Sequence, residues 1–321
     1  MAKDKRSMNK TYVMIDANHL AWRSFYLLGK KIGIGKSLGV SNAICYGFVN
    51  TITNLSKVFK SKNIICVWDS PPYWRHQIYK DYKGNRKPKE DVFKAAMILC
   101  KQMLKDIGVC QLAVDGFEAD DLAGIYSHLL NKKGHKVIIV TEDKDYYQLL
   151  RKGVKIFRPN ANEIMTVKKF KKEYPGLKPI DIVLMKAITG CTSDHVKGIK
   201  GIGDKTVMKF IAEYNTLKKM LKNQEEIEKI RGCSKLFSED NIERIKFNRV
   251  LVKIPNSDKD IESHIEKGHI SKKRIKKLFE KIMKKREIKR KKLSKTMGKY
   301  GLRKFKTKVV KGDGLMGLEI V

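Results

Sequence analysis

The chain has 321 residues and carries 70 Lys and Arg against 34 Asp and Glu, a formal charge of +36. With 42% apolar residues it can build a packed core, which excludes a wholly disordered polycation. The charge excess goes well beyond what solubility needs and points to a polyanionic partner, nucleic acid in the simplest case. The six cysteines show no CxxC or metal-ligand spacing, and the start MAKDKRSMNK has no signal-peptide core. No apolar run approaches the roughly 18 residues of a spanning helix. A soluble cytoplasmic protein with reduced core cysteines and no membrane attachment is the expectation.

In chain order, residues 11–18 (TYVMIDAN) form an apolar run closing on Asp16, as a buried parallel strand does where its carboxyl end meets a site. A helical stretch to about residue 60 follows, and residues 63–69 (NIICVWD) repeat the pattern, closing on Asp69. From Pro71 to about Lys89 the chain turns basic and aromatic. Residues 90–107 place Val92, Ala95, Ala96, Leu99, Met103 and Leu104 on one helical face. A short strand at 109–114, a helix opened by GFEADD and a third apolar strand, KVIIVTED, complete an alternation. It predicts an α/β fold with a mainly parallel sheet flanked by helices, in which acids at strand ends converge on one edge.

From about Lys178 the sequence becomes mostly helical. GIKGIGDKT (198–206) sets three glycines in a tight turn that opens a helix, and residues 240–254 read as another helix. Between Lys272 and Lys311, 20 Lys or Arg face only Glu280 and Glu287, a net of +18, so half of the excess charge sits in one short region. Helical periodicity persists through Ile282, and a solvated Lys-rich tail is expected beyond about Lys284. The expected organisation is an α/β core over 1–180 containing a basic segment at about 71–107, then a helical region over 181–283 with the glycine turn inside 186–214. The tail, 284–321, completes it.

Eight carboxylates stand out: Asp16, Asp69, Glu118, Asp120, Asp121, Asp143, Asp145 and Asp194. Singly, each fits a helix cap or a turn. Gathered at one sheet edge of so basic a chain they need counter-ions, and all-oxygen ligation favours Mg²⁺ or Mn²⁺ over zinc. Two such ions about 4 Å apart suit phosphodiester hydrolysis, activating a water and stabilising charge on the leaving oxygen.

The ordered set VMIDAN, VWD, YKGNR, GFEADD, TEDKD, GCTSD and GIKGIG resembles the 5′-nuclease family. That family includes bacteriophage flap endonucleases and 5′-exonucleases and the 5′-nuclease domain of bacterial DNA polymerase I. The likeness runs from about Tyr12 to Ile282. It implies a PIN-like core, a helical arch over about 71–107 and a helix–three-turn–helix DNA-binding element. The implied activity is divalent-metal-dependent cleavage at 5′ flaps or 5′ ends of duplex DNA or RNA/DNA, removing primers or flaps in replication.

By position, the resemblance places Asp16, Asp69, Glu118, Asp120 and Asp121 around a first metal, and Asp143, Asp145 and Asp194 around a second. Asp69 and Asp120 are then central to catalysis, with Lys83 and Arg86 as the phosphate-contacting cations. Tyr82 matches the base-stacking aromatic, and Arg75 supports the same nucleic-acid surface. Gly198, Gly201 and Gly203, with Lys200 and Lys205, match the hairpin that meets duplex phosphates, where K⁺ often bridges. The Lys-rich tail would add salt-dependent DNA affinity, and its apolar end LMGLEIV would dock a replication protein. Nothing demands more than a monomer.

The chain departs from the family pattern Gly-Asp-x-x-Asp-Asn, which here is Gly190, Cys191, Thr192, Ser193, Asp194, His195. A thiol is a poor Mg²⁺ ligand, so the second metal site is expected to be weakened. Glu142, in place of a glycine, compensates only if it turns inward. Two other readings stay open. A PIN-type ribonuclease leaves the glycine hairpin and basic segment unexplained. A structure-specific DNA-binding protein without catalysis has Cys191 as its only support.

Overall fold

The computed structural model describes residues 9–26, 38–230, 232–284, 290–300, 307–310 and 317–320. Its centre is a six-stranded sheet of β1 (Thr11–Asp16), β2 (Asn63–Val67), β3 (Cys110–Leu112), β4 (Lys136–Val140), β5 (Val154–Arg158) and β6 (Glu163–Met165), in the order β3-β2-β1-β4-β5-β6. All neighbours are parallel except β5 and β6. The chain winds outward from β1 through β2 to β3, then returns to β1's other side with β4. That reversal makes the carboxyl edge between β1 and its neighbours a switch point, where open α/β sheets hold ligands.

Alternation along the strands divides the core. Val13 and Ile15 join Ile44, Phe48, Phe93 and Met103 from α2 (Leu38–Val58) and α4 (Asp91–Asp106) on one face. Tyr12 and Met14 join Leu122, Ala123 and Tyr126 of α5 (Ala119–Lys132) on the other. The first strand leads directly into α1 (Ala17–Ser24).

The basic segment, expected as a helical arch, opens with short elements. Between Pro71 and Asp106 there is a single turn of helix, α3 (Arg75–Ile78), a series of turns through Asn85, and α4 as the one long helix. The apolar stripe of α4, Phe93, Ala96, Cys100, Met103 and Leu104, is buried, so this helix lies on the core rather than standing over it. The strands β5 and β6 were not anticipated either; each is short, and β6 pairs antiparallel at the sheet edge.

The rest is helical: α6 (Val167–Glu173), α7 (Ile182–Thr189), α8 (Asp204–Tyr214), α9 (Leu217–Lys222), α10 (Gln224–Glu228), α11 (Glu239–Val252), α12 (Asp258–Glu266) and α13 (Lys272–Met283). Two-residue strands β7 (Gly190–Cys191) and β8 (Val196–Lys197) form a small hairpin before α8. Asn248 of α11 donates to the carbonyls of Ala187 and Lys197, both at 2.9 Å, locking α7 and the hairpin together.

Part of the tail is ordered against the core. α14 (Arg290–Lys299) ends at Tyr300, whose hydroxyl donates to Asp106 at 2.8 Å, and Met297 and Tyr300 pack against the α2–α4 layer. Apolar residues spaced among the lysines explain this docking, which a count of charge alone does not reveal. The short strands β9 (Thr307–Val310) and β10 (Gly317–Ile320) pair antiparallel; the side chains of LMGLEIV, the expected docking end, lie outside the described residues. All six cysteines are free and buried, and no helix among the described residues is long and apolar enough to cross a membrane.

Gly124 tests how tightly the two regions meet. A Cβ there would lie 2.3 Å from the Pro255 carbonyl oxygen and 2.6 Å from Ile254, beyond the end of α11. On propensity alone Gly→Ala in a helix gains about 1 kcal/mol. The backbone clash outweighs that gain, so Gly124→Ala is expected to destabilise the chain by about 1–3 kcal/mol in urea unfolding.

Candidate active site

The sheet register levels the acids. Asp16 ends β1 opposite Val67, two residues before Asp69, and Ile15 lies opposite Val140, three before Asp143. Asp120 arrives in the first turn of α5. These four carboxylates, with Asn18, His19, Trp22, Lys83, Arg86, Lys89, Glu118, Ala119 and Tyr146, line one cavity of about 180 Å³. Two larger cavities, of about 330 and 530 Å³, lie beside α11 and α12. Their acids are Asp260, bonded to Ser257, and Asp181, bonded to the Lys178 amide, so neither gathers free carboxylates. The carboxylates without ion-pair partners among the described residues gather in the smaller cavity.

Local bonds fix each acid. Asp16 caps α1 by accepting from the His19 amide at 3.0 Å, and its other oxygen accepts from the Tyr146 hydroxyl at 2.9 Å. Asp69 accepts from the Ala119 amide at 2.8 Å and from the side-chain amide of Asn18. Asp143 caps the 3₁₀ turn Lys144–Leu149 by accepting from the Asp145 amide at 2.9 Å. Asp120 accepts from the Asp121 amide at 2.6 Å. None of these four carboxylates has an ion-pair partner among the described residues.

Burial acts on Asp16, Asp120 and Asp143. Burial, then the Asp69 charge, pushes Asp16 up to about 6. Burial, then Glu118 and Asp121, holds Asp120 well above the usual carboxylate range. Burial also raises Asp143, against the opposing pull of Lys186. The donor set is all oxygen, and the buried His19 Nε2 on the cavity wall has no partner among the described residues. This group fits a hard divalent cation, which would replace the protons.

Other predicted acids have partners inside the protein. Glu118 is buried but spoken for: Lys83 bonds one oxygen, while Arg75 Nη1 at 2.7 Å and the Tyr82 hydroxyl at 2.9 Å take the other. Asp121 is fully buried and gives both oxygens to Arg75 at 2.8 Å, one also accepting from Trp74 Nε1. It approaches Glu118 and Asp120 within 4.8 Å but does not line the cavity.

Arg75 and Tyr82, expected at the nucleic acid, are corrected. Arg75 is 2% exposed and Tyr82 3% exposed, because the two buried carboxylates draw both side chains inward. Glu142 does not turn toward the metal site; it accepts from the Asn160 amide and faces Arg158 at 3.6 Å.

Asp145, Cys191 and Asp194 form a second group, with ligand atoms within 4.8 Å of one another. Cys191 Sγ lies 3.4 Å from Asp194 Oδ2, and burial followed by Asp194 raises its thiol above the ordinary value. Lys186 bonds Asp145. Arg86 Nη2 donates to Asp194 at 2.9 Å, and Lys83 Nζ is 3.6 Å from the same oxygen. Burial alone would lower the Lys83 pKa, but Glu118, Asp194 and Asp120 raise it above the ordinary lysine value.

At the hairpin, Lys200, Gly201, Gly203 and Lys205 are exposed, held up by buried Ile199 and Ile202. The glycines differ in kind. Gly198 is needed internally, since a Cβ would lie 2.1 Å from the Thr189 carbonyl oxygen. Gly201 has φ +86°, a conformation L side chains rarely adopt. Gly203 meets nothing within 4 Å, so nothing inside the fold requires it to lack a side chain.

Sequence reasoning missed Asn18, His19, Trp22, Lys89, Tyr146 and Lys186. Asn18 and His19 lie two and three residues after the strand-ending Asp16, Tyr146 lies three residues after Asp143, and Lys186 lies five residues before Cys191. These spacings carried the signal. Trp22 stacks on Phe93 with ring centroids 4.0 Å apart and lines the cavity, a position where Tyr82 was expected.

Two family models match. One is described as the 5′-3′ exonuclease N-terminal resolvase-like domain, over residues 11–175, and the other as the 5′-3′ exonuclease C-terminal SAM fold, over 177–278. A 5′-3′ exonuclease of Aquifex aeolicus is 30% identical over 274 residues, 85% of this chain and 91% of that protein. Thermostable DNA polymerase I of Thermus thermophilus is 32% identical over 246 residues, 76% of this chain. This chain spans 29% of that polymerase's length. The flap endonuclease D15 of bacteriophage T5, solved with DNA and metal ions, superposes with a TM-score of 0.66 at 20% identity, covering 85% of this chain and 98% of its own. At that identity the likeness shows a shared fold.

The raised Asp16 pKa has a signed consequence. With its folded value near 6, the protonated form favours the folded chain below the ordinary carboxylate pKa, and that contribution is lost as pH rises through about 6. Asp16→Asn cannot ionise, so in chelator its melting temperature relative to wild type should be higher at pH 7.5 than at pH 5. The difference corresponds to on the order of 1–3 kcal/mol. Adding Mg²⁺ should raise the wild-type melting temperature at pH 7.5 more than that of the variant.

Proposed function

This chain belongs to the 5′-3′ exonuclease family, and from that premise we propose that it hydrolyses phosphodiesters where duplex DNA or an RNA/DNA hybrid meets a 5′ single strand or 5′ end. The observation that carries the reading is the cavity in which Asp16, Asp69, Asp120 and Asp143 have no ion-pair partner among the described residues while Lys83, Arg86 and Lys89 stand on its wall. Primer or flap removal in replication, in the cytoplasm of a bacterium or an infected host, is the use it fits, as the polymerase I relatives suggest.

Mg²⁺ or Mn²⁺ is the cation proposed for the four carboxylates, where it supplies Lewis-acid polarisation of the phosphate and an activated water. The chain's own residues do the rest. Asn18 and the Ala119 amide aim Asp69, and the His19 amide and Tyr146 hydroxyl aim Asp16. Lys83 and Arg86 stabilise the charge that accumulates on phosphate oxygens. Lys83 has φ 57°, and its amide donates to the Asp194 carbonyl at 2.9 Å, which sets where its ammonium points. Trp22, not Tyr82, presents the aromatic face on which an unpaired base beside the scissile phosphate stacks.

The duplex is assigned to the exposed hairpin. Backbone amides near Gly201 and Gly203, with Lys200 and Lys205, meet phosphates by shape and charge rather than by sequence, and a K⁺ ion held by turn carbonyls is part of this proposal. The T5 protein of the same fold was solved with DNA and metal ions. A replication partner at the C-terminal tail and a monomeric state complete it. The second metal group is read as weakened by Cys191.

The test is cleavage of a labelled 5′-flap duplex across Mg²⁺ and Mn²⁺ concentrations. Cutting near the junction is expected, abolished by chelator and by Asp69→Ala with binding retained. Binding without cutting under every condition would instead establish a DNA-binding protein. Trp22→Ala should weaken flap binding by about 1–3 kcal/mol while Trp22→Phe largely restores it. Gly203→Ala should leave the melting temperature within a few degrees of wild type yet reduce duplex affinity, separating backbone contact from folding.

A further inference from the structure

The two groups of acids differ in their counter-ions. The four cavity carboxylates have none among the described residues. The second group is already neutralised from within the chain: Lys186 reaches from the last turn of α7 to bond Asp145, with its Nζ 3.8 Å from Cys191 Sγ. Asp194 is held by Arg86 at 2.9 Å, with Lys83 at 3.6 Å. A thiol in its neutral form adds no charge. Two carboxylates therefore face three cations, and no net negative charge remains to draw in a divalent ion.

The ligand chemistry points the same way. Cys191 contributes one soft atom, whose near neighbours are the Ser193 hydroxyl at 3.2 Å and Asp194. Hard oxygen-seeking cations bind such a donor poorly. Asp145 has a residue exposure of only 8%, so its charge cannot be left to solvent and needs an internal partner.

We propose that the Lys186 ammonium stands in place of a second divalent ion, so that this chain binds one catalytic cation rather than two. The proposal rests on the nuclease reading and deepens it. A divalent ion between Asp145 and Asp194 would have to displace Lys186 without gaining an oxygen from Cys191. A tethered ammonium gives a fixed positive charge at that position whatever the metal concentration. Lys186 is here a positioning residue: it holds Asp145 and thereby the start of the 3₁₀ turn whose Asp143 lines the cavity.

Mn²⁺ binding to the full chain, followed by loss of the free-ion paramagnetic resonance signal, tests this without relying on turnover. Wild type should take up one ion, lost in Asp69→Asn. The double substitution Cys191→Asp with Lys186→Met should take up two, and Cys191→Asp alone should bind its second ion at least about tenfold more weakly than the double variant. Two ions of comparable affinity in wild type would overturn the proposal and leave the nuclease reading intact; this arm needs no variant to fold. No ion in wild type would overturn both. A sulfur-to-metal absorption band on adding Cd²⁺ to wild type, absent in Cys191→Ser, would also overturn it, since Cys191 would then ligate a metal that Lys186 was assigned to exclude.

Discussion

One buried guanidinium joins the two halves of this molecule. Arg75 gives Nη1 and Nη2 to Asp121, Nη1 also to Glu118, Nε to the Leu251 carbonyl and Nη2 to the Lys253 carbonyl. A planar fork with five donors suits this duty, and an ammonium would not. Two carboxylates that would repel each other at the first turn of α5 are thereby fixed, and so is the end of α11. Glu118 in turn receives Lys83 and Tyr82, so the cation nearest the cavity is placed by the pin that ties the helical region to the sheet. Removing one member of a buried, hydrogen-bonded ion group leaves uncompensated charge, typically costing about 3–5 kcal/mol. Position 75 therefore belongs to architecture, although the chain around it is basic and aromatic.

The electrostatics of the cavity follow from this division. Acids that serve the fold, Glu118 and Asp121, have their cation inside the protein. Asp16 and Asp120 on the cavity wall have no such partner among the described residues, and burial raises the pKa of both. A chain with a charge of +36 could have supplied lysines to each of them. That four carboxylates at one strand edge have no ion-pair partner among the described residues is a stronger statement than the acids' number, because such an arrangement costs stability unless something else binds there.

Much of this was legible in the sequence because parallel strands are nearly continuous apolar runs and end abruptly. Asp16, Asp69 and Asp143 each close such a run, so the sheet and its acidic edge could be read together. The helix over 91–106 was legible from its apolar spacing. What was not legible depended on partners distant in the chain. Arg75 and Tyr82 look like surface residues until Glu118 and Asp121 are brought beneath them, 36 to 46 residues away. Trp22 gives no sign of its place until Phe93 of α4 and Tyr26 stack on it at the cavity wall. The edge strands β5 and β6 are too short for periodicity to announce, and the docking of α14 hangs on Met297 and Tyr300 among many lysines.

The turns at 79–86 and 192–195 explain how a grip on duplex could be coupled to a cation at the cut. The Lys83 amide donates to the Asp194 carbonyl at 2.9 Å, Asn85 to Thr192 at 2.8 Å and Arg86 to Ser193 at 3.2 Å. His195, left-handed at φ 59°, adds a bond from its Nδ1 to the Asp81 carbonyl and accepts from the Tyr79 hydroxyl. A few residues later the same strand of chain reaches the exposed hairpin. Any ligand that orders Lys200 through Lys205 therefore acts on a segment already bonded, atom by atom, to the backbone that carries Lys83 and Arg86. On the proposed nuclease reading, cleavage at a junction needs that arrangement more than base-specific contacts: a duplex held at the hairpin would also fix the cations, and so set the distance from the duplex at which a passing strand is cut.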